Sequence, residues 1–451
     1  MRYHLMGIGG IGVSGLARLL KAQGHEVSGC DAKINGMGEQ LISEGIPVLE
    51  KHSPEHISEE LTALILSTAI KDSEPEVVQA RALGVPVLRR IQVLDEIMQG
   101  APVSVGIAGT HGKTTTTSLT AVAMIGGGLD PSAFVGSVLP DFEGSNVRVG
   151  SGPFVAEIDE SDPQFQHLKV SLAVLTNLED DHVSPDGKAT ENYYASISDL
   201  HQAFKNHVDG AKKLIYCADW PGLEEFTRDH PERVSYGIGQ GVYQARNLSA
   251  TDRNQSFDLY VQGAFKGRVH LTLLGNHNVL NALAALAVVH ELNGDVSGAI
   301  ESLKHFKGAG RRWQEIGSRE GALIVDDYAH NPTKVQAALQ AARQTGRRVR
   351  VIFQPHRYKR TQLSWERYAS ILTDADEVIL LDIYGASEPP IEGITSGLIL
   401  NRMQDLGFQQ VFYARTFEEA IQQALHDLQS NDLLLTLGAG DVTQLAPRLL
   451  P

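Results

Sequence analysis

Three α/β units, each built on a mostly parallel, doubly wound sheet, are the fold class this sequence predicts. Three observations carry that expectation. Short apolar runs alternate with helix-length stretches along the chain, the pattern of strand–helix–strand crossovers. Two glycine-rich turns, Gly7 to Gly12 and Gly106 to Gly112, each follow such a run and precede a helical stretch. A length of 451 residues exceeds what one core holds, so two or three domains are expected.

The first unit, residues 1–99, opens with a strand from Tyr3 to Met6 and the turn Gly7-Ile8-Gly9-Gly10-Ile11-Gly12. A helix with apolar Leu16, Leu19 and Leu20 follows, Gly24 ends it, and Glu26 to Asp31 reads as the next strand. Further strand-like runs stand at Ala63 to Ser67 and Val85 to Leu88. The second unit, residues 100–309, starts with the apolar Val103-Ser104-Val105 and runs into Gly106-Ile107-Ala108-Gly109-Thr110-His111-Gly112-Lys113-Thr114-Thr115. It has strands near Phe154 to Ala156 and Leu172 to Thr176, and it closes on a long apolar helix from Asn278 to Leu292. The third, residues 310–451, begins beyond Lys307-Gly308-Ala309-Gly310. Its buried-strand runs are Ala322 to Val325, Arg350 to Phe353, Glu377 to Leu381 and Leu433 to Leu437. No repeat of solenoid period and no low-complexity tract interrupts this order.

Composition narrows the function classes. A formal charge of −15 argues against nucleic acid or an anionic membrane as the main partner. No apolar segment approaches membrane-spanning length. The opening Met1-Arg2-Tyr3-His4-Leu5 enters a strand at once, without the pattern of a signal peptide, and Cys30 and Cys217 are too few for a disulfide framework. The expected location is the cytoplasm. An anionic substrate needs local basic groups, which Arg311-Arg312 and His356-Arg357-Tyr358-Lys359-Arg360 supply.

The turn Gly7-x-Gly9-x-x-Gly12, with Asp31 near the end of the second strand, suits a diphosphate at a helix N-terminus. It fits a nicotinamide dinucleotide and a nucleotide sugar alike, and tight strand-to-helix packing without ligand stays open. In the second turn consecutive backbone N–H groups close around a polyphosphate, Lys113 adds a charge, and the Thr114 hydroxyl is a ligand for Mg²⁺. That is an ATP-binding pattern, although five residues rather than four separate Gly106 from Gly112. Two acidic clusters follow successive strands: Glu157-Ile158-Asp159-Glu160-Ser161-Asp162 and Asn177-Leu178-Glu179-Asp180-Asp181-His182. Their place at the carboxyl edge of the sheet is where a P-loop fold collects metal ligands. His277 and Asn281, four apart, share one helical face and suit either a nucleobase edge or a capping role. Asp326-Asp327-Tyr328-Ala329-His330 and Gln354-Pro355-His356-Arg357-Tyr358 end strands of the third unit, where clustered His, Arg and Tyr suit a carboxylate and a transferring phosphate.

These motifs as a set resemble the Mur ligase family, the ATP-dependent amide ligases that build the peptidoglycan stem peptide. The resemblance runs from Gly7 to beyond Asp441. Within the family, Gly7 to Gly12 and Phe353 to Tyr358 are most similar to the ligases that add L-alanine to UDP-N-acetylmuramate. A neighbouring branch, which loads a whole tripeptide onto the same sugar nucleotide, usually has a glutamate-proline-arginine segment in place of Gln354 to Tyr358. The resemblance implies an N-terminal Rossmann-like domain for the sugar nucleotide, a central P-loop ATPase-type domain and a C-terminal Rossmann-like domain. UDP-N-acetylmuramate then lies on Gly7, Gly9, Gly10, Ile11 and Gly12, with Asp31, Ser67, Thr68 and Ala69 beside it. Gly109, Thr110, His111, Gly112, Lys113, Thr114 and Thr115 surround the ATP phosphates, and Thr114, Glu157 and His182 hold two Mg²⁺.

By the same resemblance His277 and Asn281 flank the adenine nucleotide, and Arg312 and Asp327 reach the ATP from the third unit. Tyr328, His330, Arg357 and Arg360 receive the incoming amino acid. Lys113, His182, His330 and Arg312 are the expected catalytic residues, His330 as the base. L-alanine and UDP-N-acetylmuramate are the implied substrates, with the tripeptide ligase as the alternative, and a monomer or homodimer is expected. A nicotinamide oxidoreductase would leave the second turn and both acidic clusters without a role, and a non-enzymatic ATP switch would leave the basic loops without one. Four departures from the family pattern stand out: Asn331 where a second histidine is often found, Asn276 where arginine is common, no lysine from Tyr193 to Phe204, and an altered Asp382 to Glu388.

Overall fold

The computed structural model describes residues 1–184, 187–189, 194–251, 253–386 and 388–451. Tyr193 and Ser387, which belong to two of the stretches just named, lie outside the described residues. The chain forms two compact units, one of Met1–Arg246, Asp258–Val269 and Leu280–Lys307, the other of Asn247–Phe257, His270–Val279 and Gly308–Pro451. Three sheets run through them.

The first sheet is parallel throughout, in the order Val48–Glu50, Glu26–Asp31, Arg2–Met6, Ala63–Leu66, Val87–Arg89. The order reverses between Arg2–Met6 and Ala63–Leu66, so the turns after these two strands flank the crevice where doubly wound sheets take ligands. Ala63–Leu66 is buried at all four positions, as a strand covered on both faces must be.

The second sheet has ten strands. Its parallel centre runs Lys213–Cys217, Leu172–Leu175, Ser104–Ala108, Phe154–Glu157, Ser132–Leu139, with Ser145–Arg148 antiparallel at that edge. Beyond Lys213–Cys217 come Arg233–Ile238, Tyr243–Ala250, Gln255–Val261 and Ala264–Leu271. Lys213–Cys217, Ser132–Leu139 and Ser145–Arg148 are not anticipated from the sequence, and neither are these four edge strands. Their signal is weaker than that of the central strands. In Gln255–Val261 only alternate positions, Gln255, Phe257, Leu259 and Val261, are buried, so polar residues break the apolar run.

The third sheet orders Gln314–Arg319, Ala322–Asp327, Asp432–Leu437, Arg348–Phe353, Glu377–Leu380, Val411–Tyr413, all parallel except the antiparallel first pair. Asp432–Leu437 is buried along its whole length. Leu433, Leu435 and Leu437 feed the core on one face and Leu434 that on the other. Each such leucine contributes about 1.5–3 kcal/mol of burial. The departure at Asn331 has a local cause. Its side chain accepts the Lys334 N–H at 3.0 Å and caps the helix Pro332–Gln344, with Pro332 in the first turn. Among the described residues no helix is long and apolar enough to cross a membrane.

Candidate active site

At the first glycine turn, Gly7 has a φ of 73°, and a Cβ there would lie 2.9 Å from Ser67 Cβ. Only glycine lets the turn after the first strand lie against the turn after Ala63–Leu66. The structure thus brings Gly7 and Ser67 together, with the Ala69 N–H donating to Ser67 Oγ at 3.3 Å beside Thr68. The N–H groups of Gly7 and Ile8 donate to the Cys30 carbonyl at 2.9 and 3.2 Å. Asp31 accepts the Gly9 N–H at 2.9 Å, so its carboxylate fixes the turn. The helix Ile11–Ala22 starts at Gly10 without a side-chain cap, which leaves an anion-favouring N-terminus. Sequence reading missed Arg90. A Cβ on Gly12 would lie 2.1 Å from its guanidinium, and Arg90 also pairs with Asp159 at 3.6 Å.

The second turn begins at Gly109, because Gly106 lies inside the strand Ser104–Ala108 and packs towards Val170 and Ile158. The extra residue in the spacing therefore belongs to strand and not to the loop. Gly109 (φ 128°) sits against Thr176, and Gly112 (φ 79°) against Asn281. Long-range bonds hold the loop open. The His111 N–H donates to Asn177 Oδ1 at 2.7 Å, Thr176 Oγ1 donates to the His111 carbonyl at 2.7 Å, and the Glu179 N–H donates to Thr110 Oγ1 at 2.9 Å. His111 also pairs with the Glu179 carboxylate. Asn281 accepts from Thr116 at 3.0 Å, one turn inside the helix Asn276–Glu291, so it is not a cap.

Lys113 and Thr114 open the helix Lys113–Gly126, followed by the buried Thr115. Lys113 Nζ donates to the Gly109 carbonyl at 2.7 Å and pairs with Glu160 at 2.6 Å. Thr114 Oγ1 donates to Glu157 Oε1 at 2.9 Å, while Glu157 Oε2 accepts the Gly136 N–H at 2.8 Å. Burial works against charge on Lys113, but Glu160, Asp159 and Glu157 outweigh it, raise its pKa and keep it an ammonium ion. Burial pushes Asp159 up, yet Arg90, Lys113 and His182 win and hold it at about 2. Glu160 is pushed up by burial that Lys113 and His182 only partly offset. His182 stands at a φ of 62° within the field of both carboxylates. Hydroxyl and carboxylate oxygens this close suit a hard divalent cation, and the donors Thr114 and Glu157 fit Mg²⁺. Glu160 and Asn177 belong to the two strand-end clusters that the sequence singles out, and the structure gives each a specific contact, Glu160 with Lys113 and Asn177 with the His111 N–H.

The other unit carries a second constellation. Asp327 accepts the N–H groups of Trp313 and Ala329, both at 2.8 Å, so it braces the loops around it. Burial raises its pKa against the nearby Arg312. The guanidinium groups of Arg311 and Arg312 lie 4.9 and 4.7 Å from the Tyr328 ring centroid. The Tyr328 ring meets His330 edge-on at 4.9 Å, and His330 meets His356 at 5.7 Å. His330 Nδ1 donates to the Tyr328 carbonyl at 2.8 Å, which puts the lone pair on Nε2. Arg360 donates to His356 Nδ1 at 3.2 Å, and Arg357, held at a φ of 70°, pairs with Glu388 at 3.9 Å. Tyr384 stacks on His356 at 5.7 Å and was missed from the sequence, as was Glu388. His277 packs against Gly275 (φ 97°), and burial lowers its pKa to about 4, so it is neutral.

Comparison with known proteins gives the same order of parts. The chain matches the model of the Mur ligase family, catalytic domain, over residues 2–101, the Mur ligase middle domain over 146–289 and the Mur ligase glutamate ligase domain over 311–440. It is 48% identical to UDP-N-acetylmuramate–L-alanine ligase of Deinococcus radiodurans, over 100% of this chain and 93% of that one. The protein of the same name from Carboxydothermus hydrogenoformans is 38% identical over 99% and 96%. Among solved structures, the UDP-N-acetylmuramate-alanine ligase of Thermotoga maritima is similar with a TM-score of 0.84 and 28% identity, covering 100% of this chain and 98% of that one. A murein peptide ligase from Psychrobacter arcticus shares the fold with a TM-score of 0.70 and 24% identity, over 100% and 98%.

Proposed function

Because the chain belongs to the Mur ligase family, we propose that it joins L-alanine to the lactyl carboxylate of UDP-N-acetylmuramate, with cleavage of ATP to ADP and phosphate. The observation that carries the choice of amino acid is full-length identity of 48% to a ligase of that name. The tripeptide alternative has its support in a more distant likeness.

The chemistry needs two steps. A carboxylate is a poor acyl donor, so its oxygen attacks the γ-phosphorus of ATP, ADP leaves, and an acyl phosphate forms. The amine of L-alanine then attacks the acyl carbon, a tetrahedral intermediate collapses, and phosphate leaves as the amide forms. Such a transfer is driven by positioning and charge neutralisation. The reading is supported by the loop geometry: Asn177 and Thr176 fix the His111 backbone in the glycine loop, and Lys113 supplies a charge that is already ionised. Thr114 and Glu157, with His182 near, would hold Mg²⁺, which when bound neutralises phosphate charge. Asn281 and His277 serve the nucleotide, Arg312 the transferring phosphate, and Asp327 braces the Arg312 loop. Tyr328, Arg357 and Arg360 receive the amino acid, with His330 Nε2 as acceptor of the ammonium proton. Gly7 to Gly12, Asp31 and Ser67 to Ala69 hold the sugar nucleotide. We assign these tasks to residues 1–99 for the sugar nucleotide, 100–309 for ATP and 310–451 for the amino acid.

The deciding experiment is phosphate release with ATP, Mg²⁺ and UDP-N-acetylmuramate, comparing L-alanine, the tripeptide and no amine. The expected outcome is release with L-alanine and a product heavier by one alanyl residue; release with the tripeptide alone overturns the choice of amino acid. Within that assay Arg357→Ala raises the KM for L-alanine about 10–100-fold, the value of a lost charge-assisted bond to a carboxylate. A change confined to the KM for ATP would move the amino-acid pocket elsewhere.

A further inference from the structure

Between the first sheet and the helix Pro75–Ala82 lies a group of side chains that the ligase reaction does not use. His4 stands on Arg2–Met6 and Cys30 on the neighbouring Glu26–Asp31. His4 is in register with Ser28, two residues before Cys30, so His4 and Cys30 point to one face. Glu76 projects from the first turn of Pro75–Ala82, and the turn Pro54–His56 brings His52 and His56 to it. Cys30 and Glu76 are fully buried and His4 is 1% exposed.

The contacts converge on one point. Cys30 Sγ lies 3.3 Å from both Glu76 oxygens and 3.2 Å from His52 Nδ1. Glu76 also meets His56 Nδ1 at 2.5 Å and His52 Nδ1 at 3.3 Å. One ligand atom each from His4, Cys30, His56 and Glu76 falls within 4.8 Å of all the others. A second observation points the same way. His4 Nδ1 is engaged by the Ser28 hydroxyl at 2.9 Å, whereas its buried Nε2 has no hydrogen-bond partner among the described residues. With Nδ1–H donating to Ser28, Nε2 presents a lone pair into the cluster, the arrangement that outer hydrogen bonds give to metal-bound histidines.

We infer that His4, Cys30, His56 and Glu76, with His52 beside them, form a binding site for a zinc-class divalent cation. The donor set decides the class. Imidazole and thiolate select Zn²⁺ and its transition-metal neighbours over Mg²⁺ or Ca²⁺, which take oxygen ligands. Charge balances as well, since one thiolate and one carboxylate offset a dication that the buried site would otherwise disfavour. On binding, the Cys30 thiol gives its proton to solvent as the sulfur–metal bond forms, and no electron moves. The Cys30 carbonyl accepts the N–H groups of Gly7 and Ile8, so an ion on Cys30 also stiffens the first glycine turn.

The test uses untagged full-length protein, stripped with a chelator and given one equivalent of Zn²⁺ or Co²⁺. One Zn²⁺ per chain should survive gel filtration, and the Co²⁺ form should show a thiolate-to-metal charge-transfer band. Cys30→Ser should abolish the band, and Ser28→Ala, which keeps every ligand, should weaken Zn²⁺ binding about 10–100-fold. Absence of the band in the unmutated protein, or its persistence with equal zinc content in Cys30→Ser, overturns the site. None of these readouts depends on ligase activity.

Discussion

Lys113→Ala lowers turnover by about 10³-fold or more while leaving sugar-nucleotide binding in place. The lysine is the only charge that opens the helix Lys113–Gly126, and its ammonium already sits at the mouth of the glycine loop, on the Gly109 carbonyl. Removing it takes a positive charge from the developing transition state in a buried site, where such a charge counts most. The same change also strands Glu160, which is 2% exposed and pairs with Lys113 at 2.6 Å. A loss of stability therefore accompanies the loss of activity and has to be separated from it. Lys113→Ala combined with Glu160→Gln relieves the unpaired carboxylate. The double variant should regain the thermal midpoint and stay inactive, with equilibrium binding of UDP-N-acetylmuramate unchanged. Recovery of turnover in the double variant would mean that Lys113 serves folding and not phosphoryl transfer.

The largest purely structural effect is expected at Arg350, which is 1% exposed at the centre of the third sheet. It pairs with Glu377 at 2.8 Å and Asp432 at 3.3 Å, one from each flanking strand, and donates to the Gln423 carbonyl at 3.0 Å. Arg350→Met leaves two buried carboxylates facing each other across the strand. The expected cost is about 3 kcal/mol, at the lower end for a broken buried pair, because Arg348 stands 3.6 Å from Glu377 and 3.8 Å from Asp432 and partly compensates. Amide exchange of the strand Arg348–Phe353 measures it locally, which matters in a chain of several domains. Adding Glu377→Gln and Asp432→Asn should restore most of the protection. Unchanged exchange in Arg350→Met alone would show that the three charges are not coupled.

The parts of the site legible in the sequence are those whose chemistry is local. A glycine loop that closes on a lysine, and polar runs that follow buried strands, need only a few consecutive residues, and a parallel sheet delivers all strand ends to one edge. That is why Lys113, Thr114, Glu157, Tyr328, His330 and Arg357 stand out in the sequence as candidates. Gly106 was misread as loop because a glycine facing Val170 and Ile158 inside a strand looks the same in sequence as one facing a phosphate. The edge strands from Arg233 to Leu271 were missed because half-buried strands carry only every second apolar residue.

By itself, then, the chain order determined the class of fold, the place of the two glycine turns and the family, since these depend on residues within about ten positions of one another. The tertiary structure alone decided the partners. Which of Glu157, Asp159 and Glu160 meets Thr114, Arg90 or Lys113 depends on loop backbones and on residues 43 to 69 positions away. The His4, Cys30, His56 and Glu76 cluster and the Arg350 trio have no sequence spacing at all. They exist because parallel strands from separate crossovers stack in register, and because a buried charge or lone pair is tolerated only where folding brings it a counterpart.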